Sequence, residues 1–328
     1  MKPLLYLFLP LFLFLPHPVK SQEANAFSFS ENLTFIAPQP YKLIEKRDTT
    51  PTPDTLDIKT LKRQKLVPYA VGATSLVCFT SVYLYMKQTW WKDNVQKFHF
   101  DWSRDYRYAN NLDKMGHLMG GIIVADAYYD ACKGLKMTDK QAVWWGFSVG
   151  TMVQLAIEIK DGFAPNYGYS LGDMVAGSFG SLQPFLRQKS AFFRHTDFKA
   201  SYWQRTTRYF DHRGIKVLPI HIDDYLNETY WMSTSLRYLT NNRFEKIPDW
   251  LNLAVGWGIE AESWDTNPLD PGTGGKPEFY LALDVNLLKL FKPKRKFWIQ
   301  TLKRLNYLKV PMPTLQLTQK PKLWGAYF

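Results

Sequence analysis

Cysteine is nearly absent from this chain: its 328 residues include two, Cys78 and Cys132. Two thiols in apolar segments cannot staple a small scaffold, so the fold must rest on a packed core. They read as small buried hydrophobes rather than as a disulfide. Acid is also scarce, with 29 Asp and Glu against 41 Lys and Arg and a net charge of +12. Nor does a nucleophile elbow, a phosphate loop, a His-Glu-x-x-His or a Cys-x-x-Cys motif support a named enzyme class.

What is present begins with an export signal. Lys2 supplies the positive end, Leu4 to Leu15 form an apolar run, and Val19 and Ser21 are the small residues before a cut ahead of Gln22. The run is too short to span a bilayer, and no cysteine lies near the cut to take a lipid. An exported chain of this charge meets anionic lipid headgroups and acidic glycans rather than nucleic acid. Aromatics make up 16% of the residues, with 12 Trp and 19 Tyr, a composition that suits a water–lipid boundary. The expected partners are membrane lipid or an envelope protein, at the outer membrane or a periplasm-facing surface, with the inner membrane as the alternative. The sequence names no cofactor and no subunit number.

Residues 22–65 read as an extended leader, because "APQPYKLIEKRDTTPTPD" holds four prolines and no apolar period. Leu66 to Met86 is an uncharged stretch of helical length, with Pro68 placed for a first turn, and reads as a membrane span or a buried helix. Three apolar helices are expected next. They run from about Asp113 to Lys133, from about Asp139 to Lys160 behind a Thr138–Gln141 capping box, and from Ser170 behind a second box with Asp173. Gly134 and Gly162 fall where helices stop.

From Phe185 to Lys216 the chain is basic and aromatic, and beyond it the apolar period drops to two. Leu251, Leu253, Val255, Trp257 and Ile259 alternate with Asn252, Ala254, Gly256, Gly258 and Glu260. "EFYLALDVNL" and "YWMSTSLRYL" (230–239) repeat the rule. These read as an antiparallel sheet with one wet face, an outer-membrane barrel being the alternative. The segment from Lys289 to Arg304 carries seven basic residues, no acid, and interleaved Phe291, Phe297 and Trp298. It can lie on an anionic leaflet or serve as a solvated loop.

The polar residues of the three helices sit beside small-residue ridges: Gly116 and Gly120; Gly146 and Gly150; Gly172, Ala176 and Gly180. If these ridges pack, His117, Glu158, Asp161 and Asp173 converge. His117, Glu158 and Asp161 are candidate catalytic residues, an imidazole among acids being able to act as general base. Asp113, Lys114, Ser170 and Asp173 are candidate binding residues. Zinc or manganese held by His117 and these acids is an open alternative, and so is a purely structural role as caps and interhelical bonds.

Those residues carry a resemblance. The ordered phrases are Asp113, Lys114 and His117, then Glu158, Asp161 and Gly162, then Ser170, Asp173 and Gly180. Together with the intervening helix they resemble the YfiM-like family of periplasmic lipoproteins, a domain of unknown function similar in pattern to the VanZ-like membrane proteins. The resemblance spans Phe98 to Pro184. "PDWLNLAVGWGIEAE" and "FYLALDVNLLKL" resemble the tail of longer, Bacteroidota-type relatives. The absence of a cysteine after the signal departs from the lipoprotein pattern, and the usual Asn is replaced around Ala176 to Ser178. The resemblance implies a fold and an envelope location, and no established reaction.

The expected fold is therefore α+β. A compact apolar bundle of about four helices, membrane-embedded or membrane-associated, occupies 66–187. Residues 188–328 form a basic segment and an antiparallel β region. The expected function is an envelope protein that binds lipid or a membrane partner; the alternative is a lipid- or glycan-directed hydrolase.

Overall fold

The computed structural model describes residues 58–91, 95–102, 104–213, 224–244, 246–260, 275–318 and 321–327. The expected signal and the leader up to residue 57 lie outside them. The chain forms two compact units that divide between Ser81 and Val82. Helix α1 (Ile58–Thr89) holds the whole uncharged stretch. It starts before the expected end of the leader because residues 59–65, "KTLKRQK", are mostly good helix formers. Pro68 consequently falls inside the helix and not in its first turn. Leu66, Tyr69, Leu76 and Val77 are exposed along α1, and both cysteines are free thiols.

In the second unit, α2 (Leu112–Gly134), α3 (Asp139–Asp161) and α4 (Leu171–Ser181) pack as a three-helix bundle. The Thr138–Gln141 box is present in full. Ser170 caps α4 by accepting from the Asp173 N–H, while the Asp173 carboxylate turns to Lys114 instead of completing a box. Close backbone approach explains the glycines, though not all at the expected positions. A Cβ on Gly121 would lie 2.1 Å from the Gly177 carbonyl oxygen, and one on Gly180 would lie 2.1 Å from that of Leu118. A Cβ on Gly146 would meet the Ala125 oxygen at 2.6 Å. Among the described residues α3 is the helix long and apolar enough to cross a membrane. It also buries Gln154, Glu158 and Asp161, as a core helix does when its polar groups find partners.

Short helices α5 (Gln183–Lys189) and α6 (Ala191–Arg194) lead into β1 (Thr196–Tyr202). Then follow α7 (Arg208–Arg213), β2 (Glu228–Ser235), α8 (Leu236–Leu239), β3 (Leu251–Ile259) and β4 (Pro277–Val285). The chain continues through α9 (Leu287–Phe291), α10 (Lys296–Leu305), β5 (Met312–Gln316) and β6 (Lys322–Tyr327). The six strands form one antiparallel sheet in chain order. The strand expected over 230–239 turns into α8 after Ser235, whose N–H bonds the His195 carbonyl. One core cluster joins helices and sheet, with Leu118, Met119 and Ile122 of α2 beside Tyr230, Ile259 and Tyr307, and a second lies within the sheet, formed by Trp231, Ala254, Tyr280, Ala282 and Tyr327. The first cluster crosses the expected boundary at 187/188.

The sheet is built the opposite way round from a soluble sheet with one wet face. One cross-strand row reads Phe198, Met232, Val255, Leu281, Leu315, Leu323. Met232, Val255, Leu315 and Leu323 of this row are exposed, Leu323 by 73%. The neighbouring row on the other face reads Lys199, Trp231, Gly256, Tyr280, Gln316, Lys322, and Lys199 is fully buried there. The buried face combines an aromatic cluster of Trp231, Tyr280 and Tyr327 with polar groups that satisfy one another. Lys199 Nζ lies 2.8 Å from Asp284 Oδ2, both side chains 0% exposed. The Ser233 hydroxyl donates to the same oxygen at 2.6 Å, and Arg205 pairs with Glu278 at 2.7 Å. The sheet also curves. The Ala200 N–H bonds the Tyr307 carbonyl, the Lys309 N–H bonds the Ala200 carbonyl, and the Tyr327 ring of β6 lies 5.4 Å from that of Trp203.

Lys309 is buried over the Trp231 ring. Burial lowers its amine to about 8; the neighbouring Lys199 acts in the same direction and Asp284 opposes it. Between about 8 and the ordinary 10.5 the folded chain binds fewer protons than the unfolded one, so raising the pH through that window stabilises the fold. The slope is at most about 1.4 kcal/mol per pH unit. Urea unfolding at pH 7.5 and 9.5 should show the rise, and Lys309→Met should remove it.

Candidate functional site

Two lengths of chain bring the acids together. The strap at residues 95–102 runs beside the loop after α3: the His99 N–H bonds the Gly162 carbonyl, and Asp101 N–H bonds that of Tyr169. Gly168 allows this approach, since a Cβ there would lie 2.8 Å from that of Asp101. Three left-handed residues, Ala109, Asn110 and Asn111, then turn the chain into α2. Asparagine tolerates this conformation, whereas alanine stores about 1–2 kcal/mol in it. The outcome is a cavity of about 60 Å³ among Asp101, Asp105, Asp113, His117, Glu158, Asp161, Ser170 and Asp173, bordered by Arg104, Tyr108 and Tyr225.

Lys114 is the cation behind the acids. Its Nζ lies 2.6 Å from Asp105 Oδ1 and 3.3 Å from both Asp113 Oδ2 and Asp173 Oδ1. These carboxylates raise the Lys114 pKa against the opposing effect of its burial. His117 Nδ1 donates to Gln154 Oε1 at 2.8 Å, with Glu158 Oε1 at 3.6 Å. Its Nε2 faces Asp173 Oδ2 at 3.9 Å. Glu158 Oε2 accepts the Ser170 N–H at 2.9 Å, while its other oxygen, Oε1, is buried without a hydrogen bond. Burial pushes the Glu158 carboxyl up to about 10, with Asp173 and Asp161 adding to it. Asp113 is raised to about 8 by burial and by Asp173.

The structure places His117, Glu158, Asp113, Ser170 and Asp173 around one cavity, with Lys114 behind the acids. Asp161 reaches the same cavity, but its Oδ1 accepts from the Trp91 indole at 2.5 Å and not from His117. Asp105 was not read from the sequence, since it sits in an aromatic polar stretch with no period of its own. It is the acid nearest to Lys114, and its Oδ1 also accepts a hydrogen bond from the Ser170 hydroxyl at 2.6 Å. Contrary to the reading of the sequence, which found no nucleophile elbow, Gly168-Tyr169-Ser170-Leu171-Gly172 does have the spacing of one. Ser170 is nonetheless an ordinary extended cap at φ −100°, ψ 122°, and its hydroxyl is held by Asp105 and by the Asp173 N–H. The strained turn that exposes a nucleophilic serine is not formed.

A second feature lies at the α9–α10 turn. Of residues 291–299, "FKPKRKFWI", every one except Pro293 is exposed. Phe291 is 62%, Phe297 70% and Trp298 52% exposed. Lys303 and Arg304 at the far end of α10 grip Asp130 of α2 at 2.8 and 2.7 Å, which fixes the turn to the bundle. Among the described residues Lys292, Lys294, Arg295 and Lys296 form no ion pair.

Comparison of the chain with family models, with curated proteins and with solved structures gives no match.

Proposed function

We propose that the chain is an exported envelope protein, a long form of the YfiM-like kind, that binds an anionic lipid surface through the α9–α10 turn. The observation that carries this reading is the projecting segment 291–299, in which Phe291, Phe297, Trp298 and Ile299 stand exposed among four exposed cations. Aromatic rings enter the headgroup region and the cations stay with the phosphates. Four cations at such a surface contribute on the order of 4 kcal/mol, falling as salt screens them. The exposed apolar row of the sheet and the uncharged stretch of α1 support the same reading, because each leaves apolar surface that lipid would cover.

The test is sedimentation of the purified full chain with vesicles. Binding is expected to vesicles that contain phosphatidylglycerol and to weaken with salt. Reversing Lys294, Arg295 and Lys296 to Glu should reduce it by about 100-fold or more, in keeping with about 1 kcal/mol for each of the three charges. Equal binding to neutral phosphatidylcholine, or binding untouched by the reversal, contradicts the reading.

A further inference from the structure

We propose that His117, Glu158 and Asp173 hold one divalent cation of the zinc or manganese class. One ligand atom from each of the three lies within 4.8 Å of the other two. Ligands of one ion bound at about 2.1 Å sit roughly 3.4 Å apart in a tetrahedral site. An ion would therefore have to draw these groups in by about an ångström, in a cavity with room left for water.

The unused atom is what points to a ligand. Glu158 lines the cavity at 1% exposed, and its Oε1 is buried with no hydrogen bond, 3.6 Å from His117 Nδ1. A buried carboxylate oxygen left bare is costly unless a cation or a proton reaches it. Nearby charge does not supply this. Six carboxylates line the cavity, with Arg104 the single cation among its lining residues and Lys114 behind it taken up by Asp105, Asp113 and Asp173.

The surrounding bonds already fix the three groups as metal ligands are fixed elsewhere. A ligating imidazole donates its other ring N–H to an acceptor, which sets its tautomer and orientation. Here Nδ1 donates to the buried Gln154 amide oxygen, which leaves the Nε2 lone pair turned toward Asp173. The Ser170 N–H holds one Glu158 oxygen and leaves the other free. The Ser170 hydroxyl in turn holds the Asp173 N–H at 2.9 Å, at the first turn of α4. Nδ1, Oε2 and the cap thus position the atoms that remain. This site stands apart from the lipid-binding reading and has its own readout.

The experiment strips the full-length protein with chelator and dialyses it against zinc chloride and, separately, manganese chloride, with metal counted by mass spectrometry. The expected result is one ion per chain and a rise in the unfolding temperature on loading. Glu158→Gln keeps an acceptor for the Ser170 N–H, so circular dichroism can confirm its fold, and it should bind at least about tenfold more weakly. Gln154→Leu removes no ligand but takes the acceptor from His117 Nδ1, and should weaken binding by about 10–100-fold. Absence of uptake of either ion by the wild-type chain overturns the proposal and leaves a shared proton at Glu158. Uptake that is equal in wild type and both folded variants places the ion elsewhere and overturns it as well.

Discussion

Gly180→Ala is expected to cost the fold about 3 kcal/mol or more, and Gly121→Ala a similar amount, although each adds a single carbon. The reason is what that carbon meets. At both positions the new Cβ would lie 2.1 Å from a carbonyl oxygen of the facing helix, and backbone cannot rotate away as a side chain can. Helices α2 and α4 would have to separate by more than an ångström, which opens the seam that seats His117 and Asp173 on opposite sides of the cavity. The double variant should not fold, given that domains are stable by only about 5–15 kcal/mol. Gly134→Ala is the control. Nothing lies within 4 Å of its Cβ position, so helix propensity should make it neutral or stabilising by up to about 1 kcal/mol. Urea midpoints of the purified variants measure all three.

The second large effect lies in the sheet. Asp284→Ala should cost about 3–5 kcal/mol, because it leaves Lys199 charged and buried without its partner. Lys199 keeps only the Val285 carbonyl at 2.7 Å, and Lys309 loses the one charge that supports its ammonium. The double replacement Lys199→Met with Asp284→Leu should recover most of the loss, since two apolar groups of similar volume need no counter-charge. A double-mutant cycle in urea separates the pair from its surroundings. If Asp284→Ala alone is near neutral, the polar face of the sheet is hydrated rather than sealed.

Much of the architecture was legible because it rests on local rules. Thr138 with Gln141 and Ser170 before α4 mark helix starts by their own capping chemistry, and the alternation at 251–259 and 277–285 marks strands. Alternation gives a period and two faces, but it does not say which face is inside. The Leu253 and Val255 face reads as core until the ion pair of Lys199 with Asp284 is seen, and that pair joins residues far apart in sequence. Ser235 ends its strand through a bond to His195, again a long-range event. In the site, the i, i+4 spacing of Asp113 and His117 and the glycine ridges put these side chains on neighbouring helix faces. Asp105 and the Trp91 bond to Asp161 depend on the strap at 95–102, which has no periodic signature. The glycine seam keeps Gly146, Gly150 and Gly180 of the expected ridges but shifts by one residue at Gly121 and Gly177, because the crossing of α2 and α4 decides which residues meet.

Hydrogen exchange of the full chain with and without phosphatidylglycerol vesicles tests lipid binding most directly. The expected result is slowed exchange in peptides covering Leu287–Leu305, with smaller slowing in β3 to β5, whose outer side chains are apolar. Slowing confined to other peptides, or an unchanged α9–α10 turn on a chain that does bind the vesicles, would contradict it.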